Sequence, residues 1–410
     1  MEAVIIVVAV MVAALGVGVG FYVRRRRYIA ALEGLGWTFV DSPSLLATRG
    51  LNCSPFGVGT GRSVDDQIVG RTHTGLPFQA FEYSSSAYRA GGYAVAVRLP
   101  RSLPEFYHFP SNTNRPAVQG VVVSEQAGFT TVAKDPAFGE AALAVIGPTL
   151  NGYVTPPSLS IDHDQLVALA APKKVDDLRV HLEALAVTAG AIAAAPSLER
   201  FRGEPPPAHL SVYGMPRWEY RARDSSLLQV VAHNTSGYGH TADDVLMSHH
   251  PVLPLIALTH HWKVDRTVTT TNSDGTTSTR QVTDHHSEKL LEFHPQFNFR
   301  PFKVNRGMVG DRIRFESAVF DQAFTVRCPS PRFASDIFHP RQMEYLLARR
   351  PYPFELNERG VVLMGAPVHD PAILANCEDF LLGFFGRVPR FTWNYLGYQH
   401  PPVPNLRGDV

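Results

Sequence analysis

A chain of 410 residues exceeds one ordinary domain and predicts two or three. With 45% hydrophobic and 18% charged residues it reads as a folded protein, which excludes an intrinsically disordered polypeptide. The formal net charge is +1 and Arg24–Arg27 is the one dense basic cluster, so no nucleic-acid partner is expected.

In chain order, the first feature is Val4–Val23, a stretch without a charge. At about 1.5 Å per residue it matches roughly the 30 Å hydrocarbon core, and it predicts a transmembrane helix. A cleaved signal peptide places positive charge before its apolar stretch; here Glu2 precedes it and four arginines follow. The positive-inside rule then predicts a single-pass bacterial inner-membrane protein with its C-terminal bulk in the cytoplasm. Residues 4–23 would contact the lipid bilayer, and Arg24, Arg25, Arg26 and Arg27 would meet anionic headgroups.

The rest of the chain carries an internal repetition. Gly59-Thr60-Gly61-Arg62-Ser63-Val64-Asp65-Asp66 recurs as Gly237-Tyr238-Gly239-His240-Thr241-Ala242-Asp243-Asp244. Trp37 and Phe39 before the loop correspond to Trp218 and Tyr220; His73, Leu76 and Pro77 after it correspond to His250, Leu253 and Pro254. Further on, Phe129, Thr130, Pro136 and Phe138 match Phe324, Thr325, Pro331 and Phe333, and the same displacement carries Ala171-Pro172 to Ala366-Pro367. The second copy is longer, mainly between Trp262 and Leu290.

Each copy predicts the same order. A strand (Trp37–Val40; Trp218–Ala222) leads to the Gly loop and then to alternating strands such as Phe78–Tyr83 and Tyr93–Leu99. In the second copy Val264–Thr271 and Thr276–Thr283 flank Asn272-Ser273-Asp274-Gly275, a hairpin signal. A helix follows (Phe138–Ile146; Phe333–Ala348), then a short hairpin (Leu159–Leu169; Phe354–Met364). An amphipathic helix closes each copy (Val175–Ala195; Pro371–Gly386). The expected fold class is α+β, a transmembrane helix followed by two tandem copies of an antiparallel-sheet-plus-helices module. The boundaries are 1–27 for the anchor with its basic stop, 28–200 for the first copy, 201–207 for a Pro-rich linker, 208–397 for the second copy and 398–410 for a Pro-rich tail.

The stretch Phe320–Leu347, with Arg332-Phe333-Ala334, His339-Pro340 and Met343-Glu344, resembles an uncharacterised family of bacterial membrane-anchored proteins. Pro55-Phe56-Gly57-Val58-Gly59 with Arg62, and Gly75-x-Pro77-Phe78-x-Ala80-Phe81, are similar to it as well. The first copy departs from the pattern, with Gly147-Pro148 near the place of His339–Met343. The resemblance implies the architecture and no activity.

Three groups carry candidate chemistry. The doubled loop exposes backbone N–H groups at Gly59 and Gly61, and at Gly237 and Gly239; Arg62 or His240 adds positive charge, so an anion or ligand site is one reading. A plain tight turn is the other, since the loop lacks the Lys-Ser/Thr of a P-loop and leads into a strand. Folding the hairpin about Ser273-Asp274 brings His261 towards His286, a zinc or copper pair with Asp265, Asp284 or Glu288 as further ligands; a purely structural histidine set is the alternative. Asp162-His163-Asp164 falls in the turn of the first copy's late hairpin, where polar residues are ordinary. Cys53, Cys328 and Cys377 are an odd set without CxxC spacing, neither a disulfide framework nor a zinc ribbon.

No hydrolase elbow, zincin, kinase or dinucleotide fingerprint is present, and no cofactor or catalytic residue is expected. The expected function is a membrane-anchored cytoplasmic module that binds a protein partner or scaffolds a complex. The alternatives are a ligand- or lipid-binding domain with a groove between the copies, and a metal-dependent enzyme.

Overall fold

The computed structural model describes residues 19–404 apart from 21, 90, 114–117, 208, 272–275, 308–309 and 367–369. The chain is mixed α+β, with two large antiparallel sheets of eight and nine strands. It divides into two compact units, Met1–Gly214 and Met215–Val410.

The expectation of an N-terminal transmembrane helix is corrected. Among the described residues no helix is long and apolar enough to cross a membrane. The described helix α1 (residues 22–34) carries Arg24–Arg27 and Glu33, a charge density that opposes burial in hydrocarbon. Residues 4–18 and 21 of the expected span lie outside the described residues. Two of the four arginines have partners within the protein: Arg25 pairs with Asp41 and, at 3.2 Å, with Asp66, and Arg26 donates to the Tyr22 hydroxyl.

In the first unit β1 (Thr38–Val40), β2 (Ser63–Arg71), β3 (Pro77–Ser85), β4 (Tyr88–Arg89), β5 (Tyr93–Pro110), β6 (Val121–Gln126), β7 (Phe129–Ala133) and β8 (Ser158–Ala171) make one sheet. Its order is β1-β2-β3-β5-β7-β6, with β4 on β3 and β8 alongside β5. Alternation along β3 and β5 sends Phe78, Ala80, Val95 and Val97 to one face and Phe81, Tyr83, Ala94 and Ala96 to the other. Two helices, α2 (Pro136–Ile146) and α3 (Val175–Ala194), cover the first face with Phe138, Ile146, Leu178, Leu182 and Leu185, all buried. Each such side chain contributes about 1.5–3 kcal/mol by leaving water. Asp135 caps α2 by accepting from Ala137 N–H and Phe138 N–H, with Pro136 at the first helical position. The two-residue strand β9 (Ser211–Val212) ends the unit.

The expected hairpin at Leu159–Leu169 is instead the single long strand β8, with His163 at φ 54° in its middle. Its partner β5 contains Pro100 and Pro104, which lack N–H donors, and the pairing is irregular between Arg98 and Phe106. β8 bends with that irregularity and does not turn back. Asp162-His163-Asp164 is therefore strand, not turn.

The second unit contains β10 (Met215–Arg223), β11 (Tyr238–Ser248), β12 (Leu255–Thr271), β13 (Thr277–Phe293), β14 (Phe302–Arg306), α4 (Ala318–Ala323) and β15 (Phe324–Arg327). Then come α5 (Pro331–Ile337), α6 (Pro340–Arg349), β16 (Phe354–Leu356), β17 (Val362–Met364), α7 (Pro371–Gly386) and α8 (Arg390–Tyr395). Of the nine strands, the eight in this unit follow the order β15-β14-β16-β17-β13-β12-β11-β10. Phe302, Phe338, Phe354, Phe384 and Phe385 form a buried aromatic core, many of its ring pairs edge-on. The helix expected over Phe333–Ala348 is broken in two, because Pro340 removes an N–H and starts α6 anew.

Candidate functional site

The two Gly loops have one backbone shape. Gly59 and Gly61 lie at φ 78° and 61°, Gly237 and Gly239 at 82° and 66°, a region costly for other residues. Asp66 and Asp244 follow at φ 47° and 51°, each beside a bulge, between Asp65 and Ile68 and between Asp243 and Leu246. The registers also correspond, with Val64 opposite Tyr83 and Ala242 opposite His260.

What fills the corner differs. In the first unit Arg62 is buried and donates to the carbonyls of Gly59 (2.9 Å), Gly57 (2.8 Å) and Ser211 (2.9 Å). The guanidinium is a strut for the loop. Tyr83 donates its hydroxyl to the Phe56 carbonyl at 2.9 Å, and burial pushes that phenol up to about 12. In the second unit the matching positions are His240 and His260.

From this corner β12 and β13 run out as a ribbon, paired without a break from Leu255↔Phe293 to Thr271↔Thr277. β11 accompanies β12 only as far as Tyr238↔Lys263, and β17 meets β13 only at Glu292 and Phe293. Among the described residues the outer half pairs with itself alone. One face of it is wholly polar, with Lys263, Asp265, Thr267, Thr269, Thr271, Thr277, Thr279, Gln281, Thr283 and His285. The other mixes Val264, Val268 and Val282 with the ion pair Arg266–Asp284 at 2.5 Å. The turn expected at Asn272–Gly275 lies outside the described residues.

At the foot, rings stack in a column. His240 lies on His260 (centroids 5.2 Å, 10° between planes), His260 on Trp262 (4.8 Å, 17°) and Trp262 on His286 (5.3 Å, 17°). His233 sets its ring edgewise to His240 and His260. The ligand nitrogens of His233, His240 and His260 all lie within 4.8 Å of one another. His240 Nδ1 is 2.9 Å from His260 Nε2, and His260 Nδ1 is 2.9 Å from Glu288 Oε1. Glu288 also accepts from Asn234 N–H at 3.0 Å. Burial raises its carboxyl's affinity for a proton, but the Asn234 N–H and the His260 ring outweigh that and hold it below its ordinary value. Close by, the fully buried Glu292 accepts from Ala232 N–H at 2.7 Å, and burial pushes its carboxyl up.

His261 and His286 are not brought together. The register sets Trp262 opposite His286 and His261 opposite Ser287, one residue from the expected pairing. Neighbours along a strand face opposite sides, so His261 points away and lies 3.7 Å from Asp243. The histidines that do converge come from a loop, a strand start and a strand middle; the doubled Gly loop marked His240, the His260-His261 doublet marked His260, and His233 carried no local signal.

Asp162, almost fully buried, accepts from Asn52 N–H (2.7 Å) and Cys53 N–H (2.8 Å), and its other oxygen is 2.8 Å from His163 Nδ1. Burial, reinforced by the Asp162 charge, pushes the Cys53 thiol well up. That arrangement opposes a thiolate nucleophile and ties down the loop before Gly57.

No family model and no curated protein matches the sequence. Among solved structures there is a likeness to the crystal structure of the mycobacterial trehalose monomycolate transport factor A, TtfA. It has 12% sequence identity and a TM-score of 0.33, over 44% of this chain and 97% of that one. A likeness of that size supports no inference about fold or function.

Proposed function

We propose that this protein is a binding module whose β12–β13 ribbon takes up an extended segment of a partner polypeptide. The observation that carries this reading is the edge of β13. From Thr277 to Leu291 it has a strand on one side only, among the described residues. Backbone donors and acceptors along such an edge are a template for strand addition, and alternate side chains set specificity. A two-stranded ribbon is marginally stable in water on its own, so keeping one this long calls for a use. The exposed charges Arg280 and Lys289 along the edge discourage indiscriminate pairing.

The test replaces residues 264–284 with a two-residue Asn-Gly turn, which keeps Lys263 opposite His285, and compares capture by the whole protein and the variant after gentle crosslinking in its native host. A polypeptide crosslinked to ribbon residues and lost with the replacement, while circular dichroism keeps the sheet signal, supports the proposal. Equal capture by both forms overturns it.

A further inference from the structure

The ribbon's foot contains a second feature, independent of partner binding. We propose that the second unit binds one divalent transition-metal ion of the zinc class through His233 Nε2, His240 Nδ1 and His260 Nε2.

The geometry is that of a three-imidazole site. Two nitrogens bound to one tetrahedral ion at about 2.0–2.1 Å lie roughly 3.3 Å apart, and His240 Nδ1 and His260 Nε2 are already at 2.9 Å. Two of the three remaining ring nitrogens are held as a metal site requires. His260 Nδ1 faces the Glu288 carboxylate at 2.9 Å, and His233 Nδ1 faces the Val231 carbonyl at 3.0 Å. Both partners accept, so each Nδ1 carries the proton and each Nε2 presents a lone pair. A carboxylate behind a ligating imidazole also raises its basicity, which places Glu288 as a positioning residue.

Packing alone does not ask for these residues. The first unit builds the same loop and bulge with Arg62 and Tyr83, whose hydrogen bonds brace the loop without a ligand. The second unit places imidazoles at both positions, and His260 is fully buried with His240 against one nitrogen. One ion would bind the loop at His233 to the ribbon, bracing the corner that Arg62 braces by hydrogen bonds in the first unit. Imidazoles without a thiolate suit zinc or copper(II) and disfavour magnesium and calcium.

The experiment uses the full chain, made without a histidine tag and stripped with chelator, then titrated with CoCl2 and with ZnCl2. The expected result is about one cobalt ion per chain, with visible bands of a low-coordinate nitrogen site that zinc abolishes. His240→Gln and His233→Asn should each weaken zinc binding about 100-fold or more. Glu288→Gln should weaken it about 10- to 100-fold while leaving the cobalt bands in place. The exposed control His285→Asn should change nothing. A dissociation constant weaker than about 100 µM, or undiminished binding in the His233 and His240 variants, overturns the proposal. Should either variant fail to fold, X-ray absorption of the zinc-loaded wild type decides: about three imidazoles in the first shell support the site, and an oxygen-only shell overturns it.

Discussion

His260 and Glu288 face each other across one rung of the ribbon, 2.9 Å between Nδ1 and Oε1, and the same carboxylate oxygen accepts the Asn234 N–H. One side chain on β13 therefore anchors both the central histidine and the loop before β11.

Removing that carboxylate should free the loop. Glu288→Ala leaves the Asn234 N–H and the His260 ring without their acceptor, which costs about 1–2 kcal/mol. Hydrogen exchange at Asn234 should quicken markedly while amides in β10, behind β11, keep their protection. Unchanged exchange at Asn234 would show that the loop is held by other contacts.

The two loop glycines should respond unequally to alanine. A Cβ on Gly237 would lie 2.1 Å from the Lys263 carbonyl, and the residue sits at φ 82°. On Gly239 the nearest atom would be the Lys263 Cδ, at 3.9 Å. Gly237→Ala should destabilise by about 3 kcal/mol, whereas Gly239→Ala should cost only the backbone preference, about 1–2 kcal/mol. Urea unfolding monitored by circular dichroism would compare them; equal losses would mean the loop relaxes away from the ribbon.

In the first unit Asp162 joins β8 to the Asn52–Cys53 backbone from an almost fully buried position. Asp162→Ala strands two buried N–H donors and should cost about 3 kcal/mol or more. His163→Ala takes one of three partners from the buried carboxylate and should cost less, about 1–2 kcal/mol. Paired denaturant titrations test the ratio. A mild Asp162 variant would place the loop's stability elsewhere.

Stability of the first unit should depend on acid through His181. Burial lowers its imidazole to about 4, and the ring packs edgewise against Tyr153 at 5.5 Å. The folded state therefore keeps His181 neutral, while the unfolded chain protonates near pH 6.5. Stability is full above that value and declines as pH falls from about 6.5 towards 4, by about 3 kcal/mol. His181→Leu should flatten this part of the curve. Midpoints of urea unfolding at pH 7 and 4.5 supply the comparison, and an equal acid loss in the variant would assign the effect to another group.

Local pattern carried much of the fold. Alternation at Phe78–Tyr83 and Tyr93–Leu99 lies within β3 and β5, and the threonine-rich arms lie within β12 and, from Thr277 on, β13. The Pro-led starts of α2, α5 and α7 were written as Asp135-Pro136, Ser330-Pro331 and Asp370-Pro371. These features depend on neighbours in sequence, where propensity and capping act. Pro340 was equally visible, but the periodicity running through it masked the break.

Register and convergence belong to the tertiary structure. The reach of the ribbon beyond β11 and β17 is set by which strands stop, and no local signal encodes it. A one-residue difference in pairing separates an expected His261–His286 site from the observed group of His233, His240 and His260, because side chains alternate faces. The sequence left Arg62 open between an anion ligand and part of a plain turn; only packing shows its guanidinium turned onto the carbonyls of Gly57, Gly59 and Ser211. The sequence by itself determined the elements and their order; the approach of distant segments decided which polar groups meet, since that depends on packing that no short stretch contains.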